Sequence, residues 1–286
     1  MICKLKKKDV EELQTTNILP QTAFWGRIKS NQGLSPIGFE LTVSKDLLYN
    51  DADSFLKTGD DILVLLKYID NSTCFAYVPY GPKLEPSFEN QGLFLEQLSE
   101  SIKPFLPANC IFIRYDLIWE NQWAIEDQYF DDSGNWIGAP RSQVQEYRVN
   151  FKTVKWNLKK SVNDFLPKNT FFIDLSITKQ KLLSNMRYNT RYNVKKALMN
   201  GISVKEYGIE HINDWYKLYY DTAVRHNMPL QSQEYFSTIF KNQDNNKKGV
   251  TIKMLMADIN GEFLSSMFFG FIKKTWNLFI WCINFL

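Results

Sequence analysis

The chain has 286 residues, 44% of them hydrophobic and 23% charged, which is enough apolar material for a buried core and two domains. A formal net charge of only +3 gives no whole-chain sign of a nucleic-acid binder. Two histidines and four cysteines, with no CxxC or HExxH spacing, exclude by pattern a metal cluster, a histidine relay and a disulfide framework; the thiols read as reduced, in a cytoplasmic protein.

The opening MICKLKKKDVEELQ is charged throughout and lacks the apolar centre of a signal peptide. No run of 18 apolar residues exists, so no membrane-spanning helix is expected. Residues 20–33 read as an amphipathic helix with Phe24, Trp25 and Ile28 on one face, Thr22 as cap and Gly33 as terminator. Phe39–Val43 alternates like a strand. Asp61–Tyr68 and Ser72–Tyr77 form a predicted hairpin about Asp70-Asn71. The prolines and glycine of YVPYGPKLEP break regular structure. Leu93–Ile102 has helical periodicity, Cys110–Tyr115 is a strand, and 119–150 reads as loops or a hairpin. The elements of a second unit start near Pro167: a strand at Thr170–Leu175, one long basic helix over Lys179–Asn200 closed by Gly201, then helices at Asn213–Arg225 and Gln233–Phe240. Strands Val250–Asp258 and Glu262–Phe271 flank Asn260-Gly261, a strong hairpin signal, and Thr275–Leu286 is a third strand. The fold class is α+β, with two similar units in series, residues 1–150 and 151–286.

Several segments, in order, resemble the FemABX family. LPQTAFWGRIKSNQG is similar to its opening aromatic-Trp-x-x-x-Lys helix, YVPYGPKLEP to its tyrosine-Pro-x-Gly-Pro loop, and FIRYDLIW to a strand ending in Arg-x-Asp. LPKNTFFIDLSITKQKLLSNMRYNTRYNVKKALMNGISV resembles the Asp-Leu strand, the Met-x-x-x-Thr-Arg-Tyr-Asn-Ile helix and the Lys-x-Gly-Val that follow. The match covers most of residues 19–272. It implies tandem GNAT-like domains that move an amino acid from aminoacyl-tRNA to the side-chain amine of a peptidoglycan stem peptide, on lipid II or its UDP-linked precursor. No cofactor or metal is implied. The basic segment from Arg141 to Lys181, which holds few acidic residues, would attract tRNA or an anionic membrane surface.

The donor ester is already activated, so no enzyme nucleophile is required, only positioning and an unprotonated acceptor amine. By the resemblance, Lys29 and Arg191 bind the acceptor's phosphates, and Tyr77 and Tyr235 lie near the acceptor. Taken alone, Lys29 reads as a solvated helix residue, whereas Arg191 favours function. Arg187, Arg191 and Lys195 are spaced i, i+4, i+8 and would form one basic stripe on the long helix. Asp116 reads either as the group that accepts the ammonium proton or as a structural partner of Arg114. An acyl-CoA enzyme is disfavoured by the lack of a Gly-rich pyrophosphate loop. A different tRNA-dependent GNAT-like transferase, or a non-catalytic remnant that binds tRNA or precursor, are the alternatives. The ending TWNLFIWCINFL lacks the family's further elements, so the expectation is a truncated second domain exposing Trp276, Phe279, Trp281 or Phe285.

Overall fold

The computed structural model describes residues 3–14, 16–50, 55–166, 173–243, 249–272 and 275–283, the last stretch by its backbone alone. The chain divides into two compact units, Met1–Pro167 and Lys168–Leu286, so 151–167 goes with the first.

The first unit is built on a five-stranded sheet in the order β1 (Cys3–Lys8), β2 (Ser35–Ser44), β3 (Lys57–Tyr68), β4 (Cys74–Pro79), β5 (Cys110–Asp116). Neighbours are antiparallel except β4 and β5, which are parallel because a helix crosses between them. Strand β1 was not foreseen. Its alternation is nonetheless correct, with Cys3 and Leu5 in the apolar cluster while lysines guard an edge strand.

Helix α1 (Ala23–Ser30) is shorter than the expected 20–33, because Leu19–Gln21 forms a separate 3-10 turn. Thr22 caps it as expected, its Oγ1 accepting from the Trp25 amide at 3.2 Å. A short helix α2 (Lys45–Leu48) follows β2, and α3 (Gln91–Ile102) joins β4 to β5. Phe94, Leu95, Leu98 and Ile102 of α3 pack on Phe39, Leu41, Ile62, Val64, Leu66, Ala76 and Val78. By strand alternation Leu63, Leu65 and Lys67 point to the other face, where α1 lies.

Part of the segment expected as loops is a helix, α4 (Ser142–Asn150). It has almost no apolar face; its seat comes from close backbone approach, since a Cβ on Gly92 of α3 would overlap the Val149 carbonyl. Buried Asn150 and Glu96 then hold the loop beyond, Asn150 binding Leu158 through N–H and C=O, and Glu96 accepting from the amides of Val154 and Lys155.

In the second unit the expected long basic helix is two, α5 (Lys179–Asn185) and α6 (Tyr188–Met199), because Met186 and Arg187 are extended, with ψ of 146 and 149°. Of the expected strand Thr170–Leu175, residues 170–172 lie outside the described residues and 173–175 are in no strand. A second sheet orders β6 (Ser203–Tyr207), β7 (Val250–Ile259), β8 (Glu262–Ile272) and β9 (Thr275–Ile283), all antiparallel. The β7–β8 turn has φ of 52° at Asn260 and 85° at Gly261, the positive pair a two-residue type I′ hairpin requires. Helices α7 (Ile212–Arg225) and α8 (Gln233–Lys241) cover the sheet. Trp215, Tyr219, Phe236 and Phe240 form an aromatic cluster around Phe268, with Trp215 and Phe236 ring centres 4.6 Å apart. Strand β9 stands at one end of this sheet; the side chains of Trp276, Phe279 and Trp281, and Phe285 altogether, lie outside the described residues. No helix among the described residues is long and apolar enough to cross a membrane.

Candidate functional site

Sheet register gathers the site in the first unit. Leu65 pairs with Tyr77 and Lys67 with Phe75, while Tyr77 pairs with Arg114 and Pro79 with Asp116. Paired residues share a face, so Lys67, Phe75, Tyr77, Arg114 and Asp116 all lie on the α1 side. Helix α1 adds Lys29.

Asp116 is the hub. Its Oδ2 accepts from the Tyr77 hydroxyl at 2.9 Å and from the Leu166 amide at 3.2 Å, and its Oδ1 accepts from Arg114 Nε at 3.2 Å. The Arg114 and Asp116 side chains are only 10% and 11% exposed, so the pair is held largely out of water. Burial, followed by the Asp116 charge, pushes the Tyr77 phenol well above its usual range, so it is a firm hydrogen-bond donor. Tyr80 is pushed up by the same two causes. The structural reading of Asp116, as partner of Arg114, is thus realised.

Lys29 is not a plain solvated lysine. Its ammonium lies 4.7 Å from the Trp25 ring centre and donates to Gln32 Oε1 at 2.7 Å. Burial, and secondarily Lys67, bring its pKa down to about 8. A desolvated cation beside a second cation is a place where a bound anion would relieve both costs.

A buried carboxamide shapes this end of the sheet. Beyond Leu65 and Tyr77, β3 and β4 no longer pair, and Gln21 bridges the gap. It accepts from the Leu63 amide at 2.8 Å and donates to the Pro79 carbonyl at 2.6 Å. The loop that follows needs its glycine, since a Cβ on Gly81 would come within 2.7 Å of Gln21 Nε2.

Three expected residues lie in the second unit. Arg191, on α6, turns back to cap α5: its Nη1 reaches the carbonyls of Leu183, Ser184 and Met186 at 3.2–3.5 Å. A guanidinium at a helix C-terminus satisfies orphan carbonyls and complements the helix dipole. Arg187 is the exposed N-cap residue of α6, not a member of its helical face, so the stripe reduces to Arg191 and Lys195. Tyr235 is half-buried on α8 against Phe236, its ring centres 5.1 Å apart, and burial, with Tyr219 second, pushes its phenol up to about 12.

The basic segment is less basic than its composition. Arg148 meets Glu126 at 2.5 Å, Lys152 meets Glu89 at 3.6 Å, Lys155 meets Glu100 at 2.7 Å and Lys159 meets Glu146 at 3.2 Å. Three of those carboxylates come from outside the segment, which the linear count could not register. Beside α4 is a cavity of about 610 Å³ lined by Phe88, Glu89, Trp123, Val144, Tyr147, Arg148, Phe151 and Lys152, none of them foreseen as site residues. Among the described residues no group of His, Cys, Asp and Glu could hold a metal ion.

Lys67, Phe165 and Leu166 were not foreseen. Lys67 carries a signal in retrospect, as a lysine in register with the aromatic strand before the Tyr77 loop. Phe165 and Leu166 carry none: Leu166 lies 50 positions from its partner Asp116, and Phe165 meets Arg114 and Tyr77, which are at least as remote in sequence.

The model of the FemAB family matches residues 20–265. A crystal structure of FemX superposes with a TM-score of 0.63, covering 98% of this chain and 80% of that one, at 13% sequence identity, a likeness of fold. A sequence search of curated proteins finds no match.

Proposed function

The chain belongs to the FemAB family, whose members are transferases of peptidoglycan bridge synthesis, and on that premise we propose that it moves an amino acid from aminoacyl-tRNA to the side-chain amine of a stem peptide, lipid II or UDP-linked. The observation that carries this reading is that Tyr77 and Asp116, far apart in sequence, share one face of the first sheet, the face on which α1 brings Lys29 into the field of Lys67. In this proposal the two α+β units are tandem GNAT-like domains, working in the cytoplasm and reaching lipid-linked acceptor at the membrane face. Within the first unit Lys29 offers the acceptor's phosphates an ammonium point charge; within the second, Arg191 and Arg187 are carried as phosphate-binding guanidinium groups by the family resemblance alone. In the first unit Tyr77 orients the peptide, and in the second Tyr235 is carried as an acceptor-side residue by the resemblance alone. Asp116 orients the acceptor amine and accepts a proton from its ammonium form.

The chemistry needs no more. The free amine attacks the ester carbonyl, a C–N bond forms and the bond to the ribose oxygen breaks. The amine's second proton replaces the acyl group on that oxygen, and the first leaves through Asp116 to solvent. Alignment alone can supply up to about 7–11 kcal/mol of barrier reduction.

The test is incubation of the purified chain with lysine- and ornithine-containing UDP-linked precursors and a pool of aminoacyl-tRNAs, read by mass spectrometry. The expected product is precursor heavier by one aminoacyl residue, lost with Asp116→Ala. Precursor that binds but never gains mass, with every aminoacyl-tRNA supplied, would leave the chain a binding protein.

A further inference from the structure

Residues 161–166 belong to no helix or strand and run over the α1 face of the first sheet. Arg114 turns its fork to one residue of this strap, donating from Nη2 to the Asn163 carbonyl at 2.5 Å and from Nη1 to Asn163 Oδ1 at 3.4 Å. The Leu166 N–H donates to Asp116 Oδ2 at 3.2 Å. Between them the Phe165 ring lies 3.7 Å from the Arg114 guanidinium carbon, edge-on to Tyr77 at 5.4 Å and 5.8 Å from Lys67 Nζ.

The cluster therefore meets a peptide on its own terms. A guanidinium fork receives a carbonyl, a carboxylate oxygen receives an N–H, and an aromatic side chain fills the space between. The strap that does this is shallow: Val162 is 103% exposed and Phe165 47%. It is held by a handful of polar contacts and one ring, all of which a second peptide could reproduce. We infer that Arg114 and Asp116 form a binding site for the backbone of an extended peptide, that residues 163–166 fill it as an internal stand-in, and that an acceptor peptide binds by displacing them.

The described bonds of Asp116 explain why displacement matters. Tyr77 and Leu166 both donate to Oδ2, and Arg114 donates to Oδ1. An incoming ammonium or amide N–H finds a place on Oδ2 when the Leu166 N–H leaves. Exchanging one N–H for another is close to balanced, so the strap does not block a matching peptide. Arg114 is a positioning residue in this scheme. That the peptide is a stem peptide rests on the proposed function; that the site takes a peptide backbone does not.

The experiment compares the full chain with Phe165→Ala and with Asn163→Ala, neither of which replaces Tyr77, Asp116 or Lys29; Phe165→Ala also removes the ring contact to Tyr77, for which Asn163→Ala is the control. Two probes are used: the lysine-containing UDP-linked precursor, and an N-acetylated, C-amidated tripeptide with a central lysine. Affinity is measured by calorimetry, and Leu166 amide exchange is followed with and without probe. If the strap competes, its loosening raises the binding-competent fraction, and we expect about tenfold tighter probe binding in Phe165→Ala. In the unaltered chain the Leu166 amide is protected and loses protection as probe saturates. A merely structural segment would instead lower the unfolding midpoint and leave affinity unchanged. Precursor binding that is equal in all forms, with Leu166 still protected, overturns the strap and leaves the proposed function standing. Tripeptide binding that tightens on loosening while the precursor fails to bind supports the strap and overturns the proposed acceptor. Failure of both probes in every form overturns both.

Discussion

Replacing Asp116 by alanine tests whether the hub of the site also holds it together. The substitution removes the acceptor of the Tyr77 hydroxyl, the Arg114 Nε–H and the Leu166 amide at once. Breaking a buried ion pair by deleting one partner costs about 3–5 kcal/mol, because the remaining charge is left unmatched. With side-chain exposures of 10% and 11% the pair is nearly buried, yet Arg114 keeps its contacts to Asn163 and Phe165. The loss is therefore placed at the lower end, about 3 kcal/mol, including about 1 kcal/mol for the orphaned phenol. That is a large share of a typical domain stability of about 5–15 kcal/mol. Because the chain has two units, the readout is amide exchange in β4 and β5 rather than one global transition. The double variant Arg114→Ala/Asp116→Ala removes both charges and should be less damaging than the sum of the singles by about 1–2 kcal/mol. A single-variant loss under about 1 kcal/mol, or strict additivity of the pair, would refute the hub.

Lys29 should make precursor binding pH-dependent. Its pKa of about 8 in the free protein lies below the usual lysine value and a phosphate favours the ammonium, so affinity should fall as pH rises through about 8 and become flat in Lys29→Met, with proton uptake on binding seen by calorimetry. Arg191→Ala should loosen α5 by about 1–2 kcal/mol, read as faster amide exchange in residues 179–185, because three carbonyl contacts are lost. In the proposed role the same change also weakens precursor binding by about 1.5–3 kcal/mol; unchanged affinity would leave Arg191 as a cap only. Gly92→Ala should unseat α4, costing at least about 1–3 kcal/mol by circular dichroism-monitored unfolding, since its Cβ meets the Val149 carbonyl oxygen.

What was legible in the sequence was what is local. The Thr22 cap, the apolar alternation of β2, the apolar runs of β3 and β4, the Asn260-Gly261 turn and the α7 and α8 faces each follow from residues within a few positions of one another. The misses have non-local causes. Helix α4 is held by a glycine on another helix and by buried Asn150, so its own residues show almost no apolar face. The break between α5 and α6 sits in a run with helical composition, and is made favourable by Arg191 bonding back to carbonyls up to eight residues earlier. The basic segment looked uncompensated because Glu89, Glu100 and Glu126 reach it from elsewhere in the fold.

The same distinction reorders the cations of the candidate site. In sequence, Arg191 stood out through the repeated Arg-Tyr-Asn and Lys29 was one lysine in a short helix. In the fold Arg191 has found acceptors, and a guanidinium on helix-terminal carbonyls is electrostatically content. Lys29 sits against an indole, partly desolvated, in the field of Lys67, and its charge is disfavoured enough to bring the pKa to about 8. A phosphate arriving there gains the attraction of two cations and offsets their mutual repulsion. An anion at Arg191 adds to a cation whose partners are already in place. Of the two phosphate-binding residues the family resemblance names, Lys29 is therefore where binding energy should concentrate, and Lys29→Met should cost the precursor more affinity than Arg191→Ala.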